Sequence, residues 1–223
     1  MDTKQRTTLV ILAAGMGSRY GGIKQLDSFG ENGETIIEYA LYDAERAGFT
    51  DALFIIRQEI QEDFQKLLLD RIKTKLRISL AFQETSFLPQ GWKPTEVALA
   101  RTKPWGTAHA LWCAREALHT PFAVINADDF YGRRSFELMQ GFLVSCNPSA
   151  NTYAMVAFEL GKTLSPHGPV SRGICDVDEG GFLRDIAEHK KISWEPKPGE
   201  ADAIVSCTMM APRATIPPIP QSP

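Results

Sequence analysis

Cysteine, long apolar runs and basic charge are all scarce in this sequence, and each shortage excludes a class of protein. Cys113, Cys146, Cys175 and Cys207 stand about thirty residues apart, a spacing that matches neither a zinc site nor a redox motif. They read as four reduced thiols, which fits a cytoplasmic protein. Apolar runs such as residues 9–14 and 67–69 are only a few residues long, far short of the roughly 20 that a membrane-spanning helix needs. The opening Met-Asp-Thr-Lys-Gln-Arg leads directly into a strand-like segment and lacks the apolar stretch of a signal peptide. Lys and Arg number 24 against 27 Asp and Glu, a net charge of −3. No general field therefore draws the chain to nucleic acid or to an anionic membrane. Phosphates, if bound, need a local cluster, a helix N-terminus or a divalent cation.

What is present is ordinary globular composition: 223 residues, 43% hydrophobic and 23% charged. That length suits one large α/β domain with a small appendage. Residues 7–14 form a continuous apolar run, as a buried parallel strand does. A glycine-rich loop, Gly15 to Gly22, follows at once. Residues 34–47 read as a helix stopped by Gly48, and residues 52–57 as the next strand. Residues 59–72 carry Ile60, Phe64, Leu67, Leu68 and Ile72 at helical spacing. Residues 76–83 alternate like a strand. Strand, helix, strand, helix, strand is the signature of a parallel sheet covered by helices.

Residues 84–105 hold three prolines and two tryptophans without a period, which marks a long functional or mobile loop. A helix is expected over 106–118, a buried strand over 121–127 ending in Asp128-Asp129, a helix over 135–146 and a strand over 152–160. Residues 172–178 and 182–188, around Glu179-Gly180-Gly181, read as an antiparallel hairpin. The last twelve residues contain five prolines and are expected to add neither strand nor helix. The expected division is an α/β core over 1–160, a smaller region with the hairpin over 161–210 and a proline-rich tail over 211–223. The apolar stretch 204–210 is expected to present an unpaired edge that invites self-association.

The strongest chemical signal is Leu12-Ala13-Ala14-Gly15-Met16-Gly17-Ser18-Arg19, continuing through Gly21-Gly22-Ile23-Lys24. Small residues just after a first buried strand let backbone amides approach an anion closely. Arg19 adds a planar donor fork and Lys24 a mobile point charge. The P-loop pattern fails, because Gly22 is followed by Ile23-Lys24-Gln25 and not by Lys then Ser or Thr. The dinucleotide pattern misses its third glycine by one position. A carboxylate just past a buried strand suits a hard cation that prefers oxygen ligands. Asp128 and Asp129 point in different directions if strand geometry continues, so one of the two reaches the metal. His109 reads as a packed helical histidine rather than a catalyst. Trp92 and Trp105 read at least equally well as loop packing or as a stacking platform.

These segments resemble the sugar-1-phosphate nucleotidylyltransferases. The likeness is carried by Leu12 to Lys24, then Lys103-Pro104-Trp105-Gly106-Thr107-Ala108-His109-Ala110, Asn126-Ala127-Asp128-Asp129-Phe130-Tyr131-Gly132, Val170-Ser171-Arg172-Gly173 and Ile186-Ala187-Glu188-His189-Lys190-Lys191-Ile192, in that order. The resemblance implies a Rossmann-like, mixed but mostly parallel sheet with a hairpin region for the sugar. Under that resemblance the core over 1–160 would bind nucleotide, and 161–210 would be an incomplete acceptor region. It implies that Leu12, Ala13, Ala14, Gly15, Gly17, Gly106 and Thr107 line the nucleotide pocket. Arg19 and Lys24 would act on the triphosphate, and Asp128 would hold Mg²⁺. Gly173 and Glu188 would meet sugar hydroxyls, and Lys190 the sugar phosphate. Thr208 stands where related chains carry Asn. The implied partners are a nucleoside triphosphate and a sugar 1-phosphate. Two alternatives are a transferase for a non-sugar phosphate acceptor and a nucleotide-binding module with little turnover.

Overall fold

The computed structural model describes residues 5–15, 30–92, 95–96, 101, 103–147 and 152–193, and the backbone of 208–210. The chain divides into two compact units, Met1–Val144 and Ser145–Pro223. No helix among the described residues is long and apolar enough to cross a membrane.

The first unit is built on four parallel strands: β1 (Thr8–Leu12), β2 (Asp51–Ile56), β3 (Arg77–Phe82) and β4 (Phe122–Asn126). Their order across the sheet is β3-β2-β1-β4. The chain runs outward from β1 through β2 to β3 and then returns to β1's other side as β4. The winding therefore reverses beside β1, and α/β sheets open their ligand crevice at such a reversal, outside the carboxyl ends of the strands.

Both faces of the sheet are covered, which is why β1 and β2 read as unbroken apolar runs. Leu9, Ile11, Ala13, Ala52, Phe54 and Ile56 face one side. They pack there with Ile37, Ala40, Leu41 and Ala44 of α1 (Ile36–Ala47). Val10, Leu53, Ile55 and Ala81 face the other side and meet Ala110 and Ala114 of the helix Thr107–Ala114. Helix α1 begins and ends as its sequence specifies. Thr35 Oγ1 accepts from the Glu38 amide while the Thr35 amide donates to Glu38 Oε2, a reciprocal cap. Gly48 closes the helix at φ 108°, a conformation that a Cβ would strain.

The helix expected over 59–72 is not continuous. A 3₁₀ turn (Gln58–Ile60), one α-turn, α2 (Gln61–Phe64), and a π turn (Gln65–Leu69) follow one another. The buried residues Ile60, Phe64 and Leu68 recur every fourth position. An α-helix of about 3.6 residues per turn would rotate that row off the core, and a widened turn restores its heading. Leu67, expected on the apolar face, is 48% exposed as a result. The other helices of this unit, α3 (Thr107–Ala114) and α4 (Arg133–Ser145), fall where the sequence periodicity places them.

Asp51 opens β2 and closes an ionic knot. Burial pushes its carboxyl up, but hydrogen bonds from Arg6, Thr50 and Arg77 outweigh that and hold it down at about 2. Its side chain is only 12% exposed. A carboxylate depressed from 3.8 to about 2 contributes stability that is present above the unfolded value and lost as pH falls through the folded one, about 2 kcal/mol in all. Urea unfolding across acid pH is expected to show that loss in the native protein and a shallower slope in Asp51→Asn. Equal slopes would refute the assignment.

The second unit contains two antiparallel pairs. β5 (Ala154–Val156) pairs with β8 (Thr208–Met210), and β6 (Val170–Val177) pairs with β7 (Leu183–Ile192). The strand expected over 152–160 is thus only Ala154–Val156, and a 3₁₀ turn, Leu160–Thr163, takes up its end. The hairpin is longer than expected. Its turn is closed by Asp178 Oδ1, which accepts from the Gly180 and Phe182 amides at 2.9 Å each. Gly181 takes φ 79° there. Of the apolar stretch 204–210, Thr208–Met210 is bonded to β5 through its backbone. Residues 204–207 and the proline-rich end lie outside the described residues.

Candidate nucleotide site

In the first unit, the carboxyl ends of β1 and β4 lie side by side. Leu12 is in register with Asn126, and the Ala127 amide donates to the Leu12 carbonyl at 3.1 Å. Ala13 is tied to β2 by its amide, which donates to the Ile55 carbonyl at 2.9 Å. These bonds hold Ala13 and Ala14 buried and bring Gly15 out into a turn with open space around its Cα. Gly17, Arg19 and Lys24 lie outside the described residues.

Gly106 and Thr107 begin α3. Gly106 takes φ 116° and ψ −175°, a region essentially closed to residues with a Cβ. Thr107 and Gly106 are exposed, and Gly106, as the capping residue, brings no side chain to the helix amides. The position of Gly106 is set from below by Gln83, a residue that sequence reasoning treated only as a strand end. Gln83 is buried just past β3, and its Nε2 donates to the Gly106 carbonyl at 3.0 Å. The same amide lies 3.1 Å from His109 Nδ1, while His109 Nε2 lies 2.7 Å from the Phe87 carbonyl. A carbonyl can only accept, so Nε2 carries the ring proton and Nδ1 accepts from Gln83. His109 is therefore fully engaged in holding the loop to α3, in keeping with a structural histidine. The signal for Gln83 was available: a polar residue just past a strand, the position that Asp128 holds after β4.

The tryptophans pack the loop onto the same helix. Trp105 donates its indole N–H to the Thr85 carbonyl at 3.0 Å and meets Trp92 edge-on at 5.4 Å. Arg101 lies over the Trp105 ring at 5.0 Å, and Arg115 over Trp112 at 4.2 Å. Of the two readings of these rings, packing is the one the contacts carry.

The two aspartates after β4 do different work. Asp129 Oδ2 accepts from Asn126 Nδ2 at 2.8 Å and from the Tyr131 hydroxyl at 3.3 Å. The Tyr131 oxygen in turn accepts from the Asn126 amide at 3.0 Å. Burial first, then the nearby Asp129 and Asp128 charges, push the Tyr131 phenol up to about 12, so it remains a donor. This ring of bonds fixes the turn and commits Asp129 to it. Asp128 is exposed and makes no hydrogen bond or ion pair among the described residues. One carboxylate is a fitting share for Mg²⁺, which takes few protein ligands and completes its shell with substrate phosphates and water. Among the described residues no group of three or more His, Cys, Asp or Glu side chains could hold a metal.

In the second unit, the hairpin register sets Gly173 directly opposite Glu188. A Cβ on Gly173 would meet the Ile186 side chain at 3.0 Å, so glycine keeps this cross-strand contact open. Glu188 and Lys190 are exposed on β7, and the ladder shifts register beside them, between the Arg172–His189 and Val170–Ile192 pairs.

Taken by itself, the first unit is a doubly covered parallel α/β sheet with a glycine turn and an uncommitted aspartate beside its winding reversal, the layout of a nucleotide-binding enzyme. The chain belongs to the nucleotidyl transferase family, whose model matches residues 8–163. Among solved structures it is similar to HddC from Yersinia pseudotuberculosis complexed with GMP-PN, at 15% identity over 82% of this chain and 70% of that one, with a TM-score of 0.52. It is also similar to a second structure of HddC from that organism, at 17% identity over 82% and 71% of the two chains, with a TM-score of 0.50. These likenesses show the shared fold. No curated protein matches the chain.

Proposed function

We propose that the protein joins a nucleoside triphosphate to a sugar 1-phosphate, giving a nucleotide-sugar and pyrophosphate. The observation that carries this reading is the pairing of β1 with β4, which sets the start of the glycine loop beside Asp128 at one end of the sheet. A phosphate oxygen of the sugar attacks the α-phosphorus in line, a new P–O bond forms, and the bond to the β-phosphate oxygen breaks. The attacking oxygen is already anionic, so no general base is required, in keeping with a His109 that is engaged elsewhere.

The roles proposed are those that the family resemblance implies. Leu12, Ala13, Ala14, Gly15 and Gly17 with Gly106 and Thr107 are proposed to receive the nucleotide. Arg19 and Lys24 are proposed to stabilise the departing pyrophosphate, whose charge grows as the bond breaks. Asp128 would hold Mg²⁺, which when bound neutralises charge on the phosphate oxygens. On the hairpin, Gly173 and Glu188, opposite one another in the register, are proposed to meet sugar hydroxyls, and Lys190 the sugar phosphate.

The test is a thermal-shift screen of the four common nucleoside triphosphates, each with and without Mg²⁺, followed by pyrophosphate release across a panel of sugar 1-phosphates. The structural neighbour complexed with GMP-PN makes GTP the first nucleotide to try. A ligand at a hundred times its Kd is expected to stabilise the fold by about 2.7 kcal/mol. No shift with any triphosphate, and no pyrophosphate from any pair, would overturn the proposal.

A further inference from the structure

Arg57 follows β2 directly, one residue past Ile56. It stands two positions beyond the Ile55 carbonyl that holds the Ala13 amide, and so next to the start of the glycine loop. Its side chain is 21% exposed, and its Nη1 pairs with Glu59, which is itself 64% exposed. The Glu84 carboxylate, on the neighbouring strand end, accepts from the Gln58 amide instead. Arg57 Nε is buried and has no hydrogen-bond partner among the described residues. A buried donor without an acceptor is costly and uncommon in folded proteins, because the water it gave up is not replaced. A guanidinium that spends its Nη1 end on a surface carboxylate keeps its Nε–Nη2 edge, the two parallel N–H groups that match a phosphate.

We infer that Arg57 is an anion-binding residue of the nucleotide site, and that its guanidinium, released from Glu59, turns to give its Nε–H to a phosphate oxygen of the triphosphate. The inference rests on the reading of the first unit as a triphosphate site. It explains why a cation sits at the carboxyl end of an otherwise wholly buried strand, beside the loop, with a donor left unmet. Glu59 then acts as the resting counter-charge, which competes with the ligand for the guanidinium.

A purely structural Arg57–Glu59 pair makes the opposite forecast, because either substitution would break the same contact. Calorimetric titration of the native chain, Arg57→Gln, Arg57→Lys and Glu59→Gln decides between them. The probes are inorganic tripolyphosphate, the four nucleoside triphosphates with Mg²⁺, and glucose 1-phosphate. Loss of a hydrogen bond to a charged group is expected to weaken tripolyphosphate and nucleotide binding about tenfold to a hundredfold in Arg57→Gln. Arg57→Lys is expected to restore part of that through charge without the fork. Glu59→Gln is expected to bind as tightly as the native chain or more tightly.

Native affinity in Arg57→Gln would overturn the inference, as would weakening in Glu59→Gln equal to that in Arg57→Gln. Weakening confined to glucose 1-phosphate would overturn the assignment to the triphosphate. Should Arg57→Gln fail to fold, Glu59→Gln still decides by the direction of its change. A native chain that binds tripolyphosphate through Arg57 but no nucleoside triphosphate would overturn the proposed function and keep the anion site. Binding of none of the probes would overturn both.

Discussion

Asp128→Asn is expected to lower Mg²⁺-dependent pyrophosphate release on the order of a hundredfold or more, with the urea midpoint of the fold unchanged. The side chain is exposed at the end of β4 and makes no hydrogen bond or ion pair with a described residue, so its removal takes no such bond from the folded state. What it removes is the carboxylate proposed to hold the cation where charge builds in the transition state. Asp129→Asn provides the contrast. Asp129 accepts from Asn126 and Tyr131 and braces the turn, so its substitution is expected to lower the urea midpoint and to slow the reaction less. Steady-state kinetics with a denaturation curve for each variant separates the two. Equal effects on rate would mean that the ligand has been assigned to the wrong aspartate.

Phe54→Ala is expected to cost the first unit about 3–5 kcal/mol, out of a total that for most domains is about 5–15 kcal/mol. Phe54 has no solvent exposure. It lies in the middle of β2, in register with Ile11 on one side and Leu80 on the other. Its ring meets Phe64 edge-on, with centroids 5.2 Å apart and planes at 65°. Truncation would remove that contact and leave a cavity that two hydrogen-bonded neighbouring strands are too rigid to close. Urea unfolding followed by circular dichroism measures the loss. A shift equivalent to less than about 1 kcal/mol, the size of an ordinary point-mutant effect, would show that the core relaxes around the site.

Much of this could be read from residues alone, because the causes are local. Alternation and apolar runs placed β1 to β4 within a residue or two. Gly48 marks the end of α1, since a left-handed glycine stop is decided by neighbours a few positions away. The hairpin of β6 and β7 was legible from Gly180 and Gly181 at its turn. The family resemblance rested on segments in order, and the family match over residues 8–163 agrees with it. Gly15 and Asp128 fall just past strands and Gly106 just before a helix, where the sequence pattern puts them.

Other features depend on residues far apart in sequence. The π turn at Gln65–Leu69 arises because Phe64 and Leu68 must reach a core shared with β2, and helical propensity within 59–72 carries no information about that depth. Gln83 reaches His109 across 26 positions, so the support beneath Gly106 exists only once β3 and α3 are packed. The sequence offered Asp128 and Asp129 as a near-equivalent pair. The fold separated them, because only the turn after β4 brings the Tyr131 hydroxyl to one carboxylate and leaves the other facing solvent. Arg57 in the sequence is one cation among 24. Its unmet Nε is a property of burial, which local pattern cannot encode.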